Sequence, residues 1–561
     1  MIFLLLGCVE SPPLSAPPMF PSVGPSAEVA QQEDTTASAS DVPGVLLILI
    51  DDLGYGDTSI PALTEFIQIS DADWEPDITT PSLEAFAAQG ISLTSFRAAA
   101  PVCAPTRAAL MTGLQPHYAG FWSANTNLFG AENQLGLRPG LVLLPELLSK
   151  AGFSTAMVGK WHLGENEQPW DPAGGDDDCM AADTPDRRGF DQVFGFLSAT
   201  HNYGLDESCG ELVAGSSAQG LTALRESGCA YGGEHTTEVF TEKAIEQLND
   251  FKSEAEPWFL YVAYNAPHTP VDDGADWIRE AATSEHPDAA AYAEMVDDCE
   301  APENRNLEMG GSDFCLLVSH LDLHLGRLLE QAPDDALVIV MSDNGGQEGT
   351  GSSNAHFRGT KGNVFNGGTV VPMMVRAPSI AAGSVLDAGV QTTEIFSTIL
   401  EFAGVEAPDK QRVADFPASC SQAVQIEAVP LDGGSIRPLL EGDTVSPWKE
   451  IFQENSGHVA LIWQDWESAE HWKLMTGLIH PENGLPHCEP NWQLYDQWSN
   501  IEEDENQFSV ETALVDEMMA ALSNQLLNLP HSHEQIAWQT CCFTLGGEDC
   551  QEKCGECSMD E

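Results

Sequence analysis

Four short runs of consecutive apolar residues stand out along the chain, each bounded by polar or turn-forming residues. Runs of this length without polar alternation are typical of strands that are buried on both faces of a sheet. The pattern predicts strands at Val45–Ile50, Trp258–Tyr264, Leu337–Met341 and Val370–Val375. Strands of this kind occur mainly in largely parallel sheets that are covered by helices.

Segments with helical spacing lie between these runs. Within 315–331, apolar residues recur every three or four positions, which places them on one face of a helix. Further helices are predicted at 81–88, 144–151 and 236–251. Alternating strands and helices indicate an α/β fold, and the shorter, Trp-rich pattern beyond about residue 450 indicates a smaller second layer.

The amino-acid composition and net charge exclude some classes of function. The chain has 561 residues with 87 Asp and Glu against 22 Lys and Arg, a formal net charge of −65. This charge excludes a nucleic-acid partner and an anionic membrane surface. Hydrophobic residues make up 42% of the chain, enough for a sizeable core. Because cationic side chains are scarce, the places where they cluster are informative.

The N-terminus indicates export. Residues 1–8 are apolar up to Gly7 and Cys8, which resembles a bacterial lipoprotein signal with a lipidated cysteine. The run is short and lacks a basic residue, so a misplaced start or a chance apolar N-terminus stays open. Residues 9–44 have the proline-rich composition of a tether. We expect a periplasmic or cell-surface lipoprotein, or a secreted protein, that meets the membrane only through Cys8.

The cysteine content also favours an oxidising compartment. Fourteen cysteines are many for a reducing cytosol, and disulfides are expected among them. The segment 531–561 is a Cys-rich tail. Its Cys554-Gly-Glu-Cys557 motif with His531 and His533 leaves a zinc site as the alternative to disulfides.

Polar side chains directly follow two of the predicted strands. Asp51 and Asp52 come after the first apolar run, and Asp343 and Asn344 come shortly after the run that ends at Met341. In open α/β sheets, ligands collect at the carboxyl ends of strands. Carboxylate and amide oxygens suit Ca²⁺ or Mg²⁺, so a metal site is predicted here. The alternative is that these residues cap helices and turns.

One segment carries a specific resemblance. The residues Pro-Val-Cys-Ala-Pro-Thr-Arg-Ala-Ala-Leu-Met-Thr-Gly at 101–113 resemble the sulfatase signature, whose core is Cys-x-Pro-Ser/Thr-Arg. The resemblance implies that Cys103 is oxidised by a formylglycine-generating or anaerobic maturase to formylglycine (3-oxoalanine), whose hydrate is the nucleophile. The alternative is a buried or disulfide-bonded thiol.

Further segments resemble the same family in the same order. They are Gly159 to Gly164 with Lys160 and His162, Ala266 to Pro270 with His268, and Arg358 to Gly362 with Lys361. The resemblance extends from about residue 45 to 506. It implies an alkaline phosphatase-like fold, with a large mixed, mostly parallel sheet flanked by helices and a smaller C-terminal α+β subdomain. The corresponding domains are a catalytic domain at 45–445 and the subdomain at 446–530.

The resemblance also implies a role for each site residue. The metal ligands would be Asp51, Asp52, residue 103, Asp343 and Asn344. Lys160 and Lys361 would bind sulfate oxygens, Arg107 would hold the hydrated aldehyde, His268 would protonate the leaving oxygen, and His162 would assist release of sulfate. His201 is predicted to contact substrate. Asn366 stands where many relatives carry an acidic residue, which puts the support of Lys361 in question.

Three functions stay open at this point. The first is hydrolysis of aryl or carbohydrate sulfate esters, with a small molecule or a glycan as substrate. The second is hydrolysis of related phosphomonoesters, phosphodiesters or phosphonates. The third is a protein that binds sulfate esters without turnover because Cys103 is never oxidised.

Overall fold

The computed structural model describes residues 42–527 except for 70–71, 122–136, 139, 165–182, 228, 255, 302–310, 415–425, 444–449, 456–457, 466–469, 478–491 and 498–501. The predicted signal, nearly all of the predicted tether and the Cys-rich tail lie outside the described residues. The predictions for Cys8 and for zinc in the tail therefore stay predictions.

The strands form one large sheet and three smaller ones. In chain order they are β1 (Gly44–Ile50), β2 (Ile91–Leu93), β3 (Phe96–Arg97), β4 (Ser154–Lys160), β5 (Gln192–Phe196), β6 (Val213–Ser216), β7 (Gly220–Ala223), β8 (Trp258–Ala263), β9 (Leu337–Ser342), β10 (Met373–Arg376), β11 (Ser384–Leu386), β12 (Val390–Gln391), β13 (Lys410–Ala414), β14 (Ile426–Pro430), β15 (Glu450–Asn455), β16 (His458–Asp465), β17 (Glu470–Gly477) and β18 (Gln493–Asp496).

The large sheet has ten strands in the order β11-β2-β10-β9-β1-β8-β4-β5-β6-β7. Its centre is parallel, since β1 pairs in parallel with both β8 and β9, and β4 pairs in parallel with β8 and β5. Antiparallel strands flank this centre, with β10 beside β9 and β6 beside β5. The four central strands β9, β1, β8 and β4 therefore end at one edge of the sheet.

Helices connect these strands. They are α1 (Pro61–Ile67), α2 (Pro81–Ala87), α3 (Cys103–Thr112), α4 (Pro116–Ala119), α5 (Leu144–Lys150), α6 (Leu224–Ser227), α7 (Thr236–Ser253), α8 (Val271–Ala282), α9 (Ala289–Glu300), α10 (Gly311–Gln331), α11 (Asn366–Thr369), α12 (Thr392–Phe402), α13 (Arg437–Leu440) and α14 (Thr512–Leu527). Several begin with proline, whose missing N–H costs nothing in a first turn.

The two faces of the large sheet bury separate cores. Along β1, Leu46, Ile48 and Ile50 pack with residues of α7 and α10, whereas Leu47 and Leu49 pack with residues of α3 and α12. Alternate residues of a strand point to opposite faces, so a strand covered on both sides must be apolar throughout. Every residue of β1 is buried, which explains the uninterrupted run in the sequence.

A second, antiparallel sheet follows in the chain, with the order β15-β16-β17-β18. Leu461 and Leu474 of this sheet pack against Met518 and Leu522 of α14 in a core of their own. A C-terminal α+β layer is therefore present, while the domain boundaries at 445 and 530 stay predictions.

The observed elements confirm the predicted α/β fold, with one difference in detail. The strand predicted at Val370–Val375 begins at Met373 and runs antiparallel to both of its neighbours. Val370 instead forms an isolated bridge with Arg97.

Two disulfides occur in the described part of the chain, Cys209–Cys229 and Cys299–Cys315, and Cys103 is a free thiol there. Among the described helices, none combines the length and apolar character of a membrane span.

Candidate active site

The candidate active site is built on the carboxyl ends of the four central strands. Asp51 and Asp52 follow β1, Asp343 and Asn344 follow β9, and Lys160 is the last residue of β4. His268 lies on the segment that follows β8. Adjacent parallel strands end side by side, so side chains from distant parts of the sequence meet here.

Helix α3 brings the cysteine to the same edge. Cys103 is its first residue, and the whole helix is buried. The Cys103 Sγ lies 3.2 Å from Asp51 Oδ1 and 3.9 Å from Asp52 Oδ1. Burial and the negative charge of Asp51 raise the pKa of this thiol well above its usual value.

Asp51 is surrounded by cations. Its Oδ2 lies 2.5 Å from Lys160 Nζ and 3.5 Å from Arg107 Nη2, and all three side chains are fully buried. Against the opposing effect of burial, Lys160, His268 and Arg107 hold the pKa of Asp51 well below its usual range. Asp51 is therefore ionised inside the protein, as a metal ligand must be.

Arg107 holds the neighbouring carboxylate with two hydrogen bonds. Its Nε and Nη2 donate to Asp343 Oδ2 at 3.1 and 2.8 Å, and its Nη1 donates to the carbonyl of Lys160 at 3.0 Å. The planar guanidinium suits such forked contacts better than an ammonium does. Arg107 thus links α3 to the ends of both β9 and β4.

Asp52 joins the remaining groups. Its Oδ1 accepts a hydrogen bond from Asn344 Nδ2 at 2.7 Å, and its Oδ2 lies 2.7 Å from Lys361 Nζ and 3.7 Å from His268 Nε2. Asp52 adopts φ 66, a left-handed conformation that is uncommon outside glycine and tends to occur at functional sites.

These residues fit a hard divalent cation. Ligand atoms of Asp51, Asp52, Cys103 and His268 lie within 4.8 Å of one another. Asn344 Oδ1 is buried and has no hydrogen-bond partner in the described structure. A buried carbonyl oxygen without a donor is costly, and a cation would satisfy it. Asp343 contributes less freely, because Arg107 already engages its Oδ2.

His268 presents one ring nitrogen to this cluster. Its Nδ1 lies 2.7 Å from the carbonyl of Thr269, which assigns the Nδ1 proton to that hydrogen bond and leaves Nε2 facing Asp52. The hydroxyl of Tyr203 donates to the carbonyls of Asn265 and His268, at 3.0 and 2.5 Å. Sequence analysis missed Tyr203, because a lone tyrosine carries no signal for contact with a segment more than sixty residues away.

His162 also belongs to the cluster. It has φ 56, and its Nδ1 is buried without a hydrogen-bond partner among the described residues. Burial lowers its pKa well below the usual value, and the nearby charges of Lys160 and Arg107 lower it further. The imidazole is therefore neutral and can accept a proton at Nδ1.

His201 is not joined to this cluster by the contacts that the structure shows. Its Nδ1 lies 2.6 Å from the carbonyl of Asn202, its Nε2 accepts the backbone N–H of Glu211 at 3.2 Å, and its ring packs on Phe196. A role in substrate contact stays a prediction.

The loop that carries Lys361 is fixed on two sides. The backbone N–H of Lys361 donates to Gly346 at 3.0 Å, and that of Gly362 donates to Pro101 beside α3 at 2.8 Å. Arg358 does not face the aspartates. Its Nη1 instead donates to the Tyr495 hydroxyl and to the carbonyl of Glu503.

Asn366 lies in a buried polar network. Its Oδ1 accepts from Arg97 Nη1 at 2.8 Å and from Lys473 Nζ at 3.1 Å. The acidic partner comes from the C-terminal region: Glu503 pairs with Lys473 at 2.8 Å and accepts the backbone N–H of Asn366 at 2.7 Å. The resemblance implies an acidic residue at position 366, where this chain has Asn366. The carboxylate of Glu503, which is distant in sequence, contacts this position instead.

Comparisons with known proteins agree with this geometry. The profile of the sulfatase family matches residues 43–405. N-acetylgalactosamine-6-sulfatase of Mus musculus is 28% identical over 393 residues, covering 68% of this chain and 66% of that protein. Arylsulfatase J of Mus musculus is 25% identical over 477 residues, covering 80% of this chain and 67% of that protein. The crystal structure of Ps i-CgsB superposes with a TM-score of 0.61 at 25% identity, covering 86% of this chain and 92% of that one.

The chain spans slightly less than two thirds of the length of the mouse N-acetylgalactosamine-6-sulfatase that it matches. The family profile nevertheless covers more than half of this chain, from β1 to the residues after α12. It includes all four central strands and every side chain of the cluster described above. This protein belongs to the sulfatase family.

Proposed function

We propose that this protein hydrolyses sulfate monoesters of aryl or carbohydrate alcohols, with formylglycine at position 103 and a divalent cation. The observation that carries the proposal is the meeting of Lys160, Lys361 and Arg107 with three aspartates and Cys103 at one sheet edge. In a chain with only 22 Lys and Arg, three cations around one cysteine, two of them fully buried, form a specific anion site.

The cation would be held by Asp51, Asp52, Asp343 and Asn344 together with residue 103. All the protein ligands besides residue 103 are oxygens, which favours Ca²⁺ or Mg²⁺ over softer ions. When bound, such an ion supplies positive charge for a sulfate oxygen and favours the ionised form of a neighbouring hydroxyl.

Formylglycine, when hydrated, supplies a hydroxyl nucleophile and a second hydroxyl that allows sulfate to leave as the aldehyde re-forms. Arg107 orients residue 103 indirectly, since it fixes Asp343 and the end of β4 around α3. The buried, protonated thiol of an unmodified Cys103 would be a poor nucleophile by comparison.

Lys160 and Lys361 bind the sulfate oxygens and stabilise the charge that grows in the transition state. The ammonium group of Lys160 lies 2.5 Å from Asp51 Oδ2, and that of Lys361 lies 2.7 Å from Asp52 Oδ2. His268, when it is protonated at both ring nitrogens, delivers its Nε2 proton to the leaving oxygen. His162 Nδ1, which has no other partner in the described structure, accepts a proton released at residue 103.

Similarity to N-acetylgalactosamine-6-sulfatase favours a carbohydrate sulfate as the natural substrate. The two disulfides favour an oxidising compartment, in line with export as a secreted, periplasmic or lipid-anchored protein. A maturase that generates formylglycine would be the partner during biogenesis.

The rates at which the protein hydrolyses a sulfate ester and the matching phosphate ester test the proposal. The full chain, produced with a formylglycine-generating enzyme, should hydrolyse nitrophenyl sulfate faster than nitrophenyl phosphate. Cys103→Ala should abolish sulfate turnover while the protein stays folded by circular dichroism. A higher rate on the phosphate ester, or full activity in Cys103→Ala, would overturn the proposal.

A further inference from the structure

A second cluster of metal-ligating side chains lies outside the candidate active site. Glu238 is in the first turn of α7, and His320 and His324 are on α10. Because residues four apart on a helix share a face, both imidazoles meet the same carboxylate. His286, in the turn between α8 and α9, approaches it from another side.

The distances suit one tetrahedral ion. His320 Nε2 and His324 Nε2 each lie 3.6 Å from Glu238 Oε1, and His286 Nε2 lies 3.5 Å from Glu238 Oε2. Zinc–nitrogen bonds of about 2.0–2.1 Å place two ligand atoms of a tetrahedral ion roughly 3.3–3.5 Å apart. The distances from Glu238 to His320 and His324 therefore need to change by only a few tenths of an ångström, and ligand atoms of these three residues all lie within 4.8 Å of one another.

The surroundings of His320 favour a bound metal ion. Its side chain is fully buried, yet neither of its ring nitrogens has a hydrogen-bond partner in the described part of the chain. Unpaired buried polar atoms are costly, and a bond from Nε2 to a metal ion would relieve one of them.

The surrounding residues complete the site. The Tyr292 hydroxyl donates to Glu238 and lies 3.0 Å from His324 Nε2, so an ion bound at this nitrogen would replace the contact with Tyr292. Asp288 is already held by two hydrogen bonds from Arg327, which leaves Glu238 as the available carboxylate. A set dominated by imidazoles selects zinc-like ions over Ca²⁺.

We propose that Glu238, His320 and His324 bind one Zn²⁺ or a similar transition-metal ion. This site goes beyond the proposed sulfate-ester hydrolysis and does not depend on it. The ion ties α7 to α10 near the Cys299–Cys315 disulfide, which links α9 to α10, so its role is structural. The side chain of His286 is 23% exposed and provides the route from solvent.

Zinc binding by the full chain tests the proposal. Protein is stripped with a chelator, dialysed against excess Ca²⁺ to occupy the oxygen cluster, and titrated with Zn²⁺ while bound metal is measured by mass spectrometry. The wild type should take up one more equivalent of Zn²⁺ than the double variant His320→Gln, His324→Gln. The control His458→Gln changes a histidine of β16 and should bind as the wild type does.

If the double variant fails to fold, X-ray absorption spectroscopy of the zinc-loaded wild type identifies the ligands without it. The spectrum should show imidazole scattering and no sulfur ligand. Sulfur ligands would assign the ion to the Cys-rich tail and overturn the proposal. Failure of the wild type to bind Zn²⁺, or equal binding by a folded double variant, would overturn it as well.

Discussion

Asn344 shows how a single residue reveals the chemistry of the site. Its Nδ2 donates to Asp52, while its buried Oδ1 has no hydrogen-bond partner in the described structure. Its place after an apolar run made it predictable from the sequence as a ligand candidate. His320 is the opposite case, because it interrupts the apolar face of α10 without any local signal of function. Only its contact with Glu238, more than eighty residues earlier in the chain, identifies it as a candidate metal ligand.

Asn344→Leu is therefore expected to remove the stabilisation that the wild type gains from Ca²⁺ or Mg²⁺. An ion at 100 times its Kd stabilises the native state by about 2.7 kcal/mol. The measurement is the change in Tm on adding the cation after chelation. Asn249→Leu, on an exposed position of α7, serves as control and should keep the full shift. An unchanged shift in Asn344→Leu would remove this residue from the ligand set.

At the level of elements, apolar runs predicted where strands lie but not how they pair. Strands β1 and β9 were predictable because both faces of each are buried, whereas the antiparallel direction of β10 depends on its neighbours. Val371 illustrates the limit: its backbone N–H pairs with Phe96, outside the large sheet, and the strand starts only after Pro372.

Close packing of β4 against β8 predicts a strict need for Gly159. Gly159, which directly precedes Lys160, has φ 104, and a Cβ there would lie 2.0 Å from the carbonyl oxygen of Ala263. Gly152 has φ 93 but open space around it, so Gly152→Ala should cost only the backbone strain of about 1–3 kcal/mol. Gly159→Ala should cost clearly more and lower activity. Equal losses in denaturant unfolding would contradict this account.

On the scale of the whole molecule, the C-terminal region contacts the segment that follows Lys361. Glu503 is the acidic partner of buried Lys473 and also holds the backbone of Asn366, in the loop that carries Lys361. The contact between Glu503 and Asn366 leaves no signal in one sequence, because the two residues are 137 positions apart.

Glu503→Gln should destabilise the protein by about 3–5 kcal/mol, since Lys473 and Arg97 would lose their buried counter-charge. Chemical unfolding measures the loss, and kcat should fall because the Lys361 loop loosens. Glu505→Gln, at an exposed site nearby, is the matched control and should change stability little. If both variants unfold at the same denaturant concentration, the network does not support the loop.

Residue 103, as formylglycine, is the proposed nucleophile of this sulfatase family member. The most direct test of this role is peptide mass spectrometry across residues 101–113 of protein produced with a competent maturase, paired with an aryl-sulfate assay. The account predicts the mass of formylglycine at position 103 and turnover, both lost in Cys103→Ala. An unmodified thiol under these conditions, with sulfate esters bound but not hydrolysed, would contradict it.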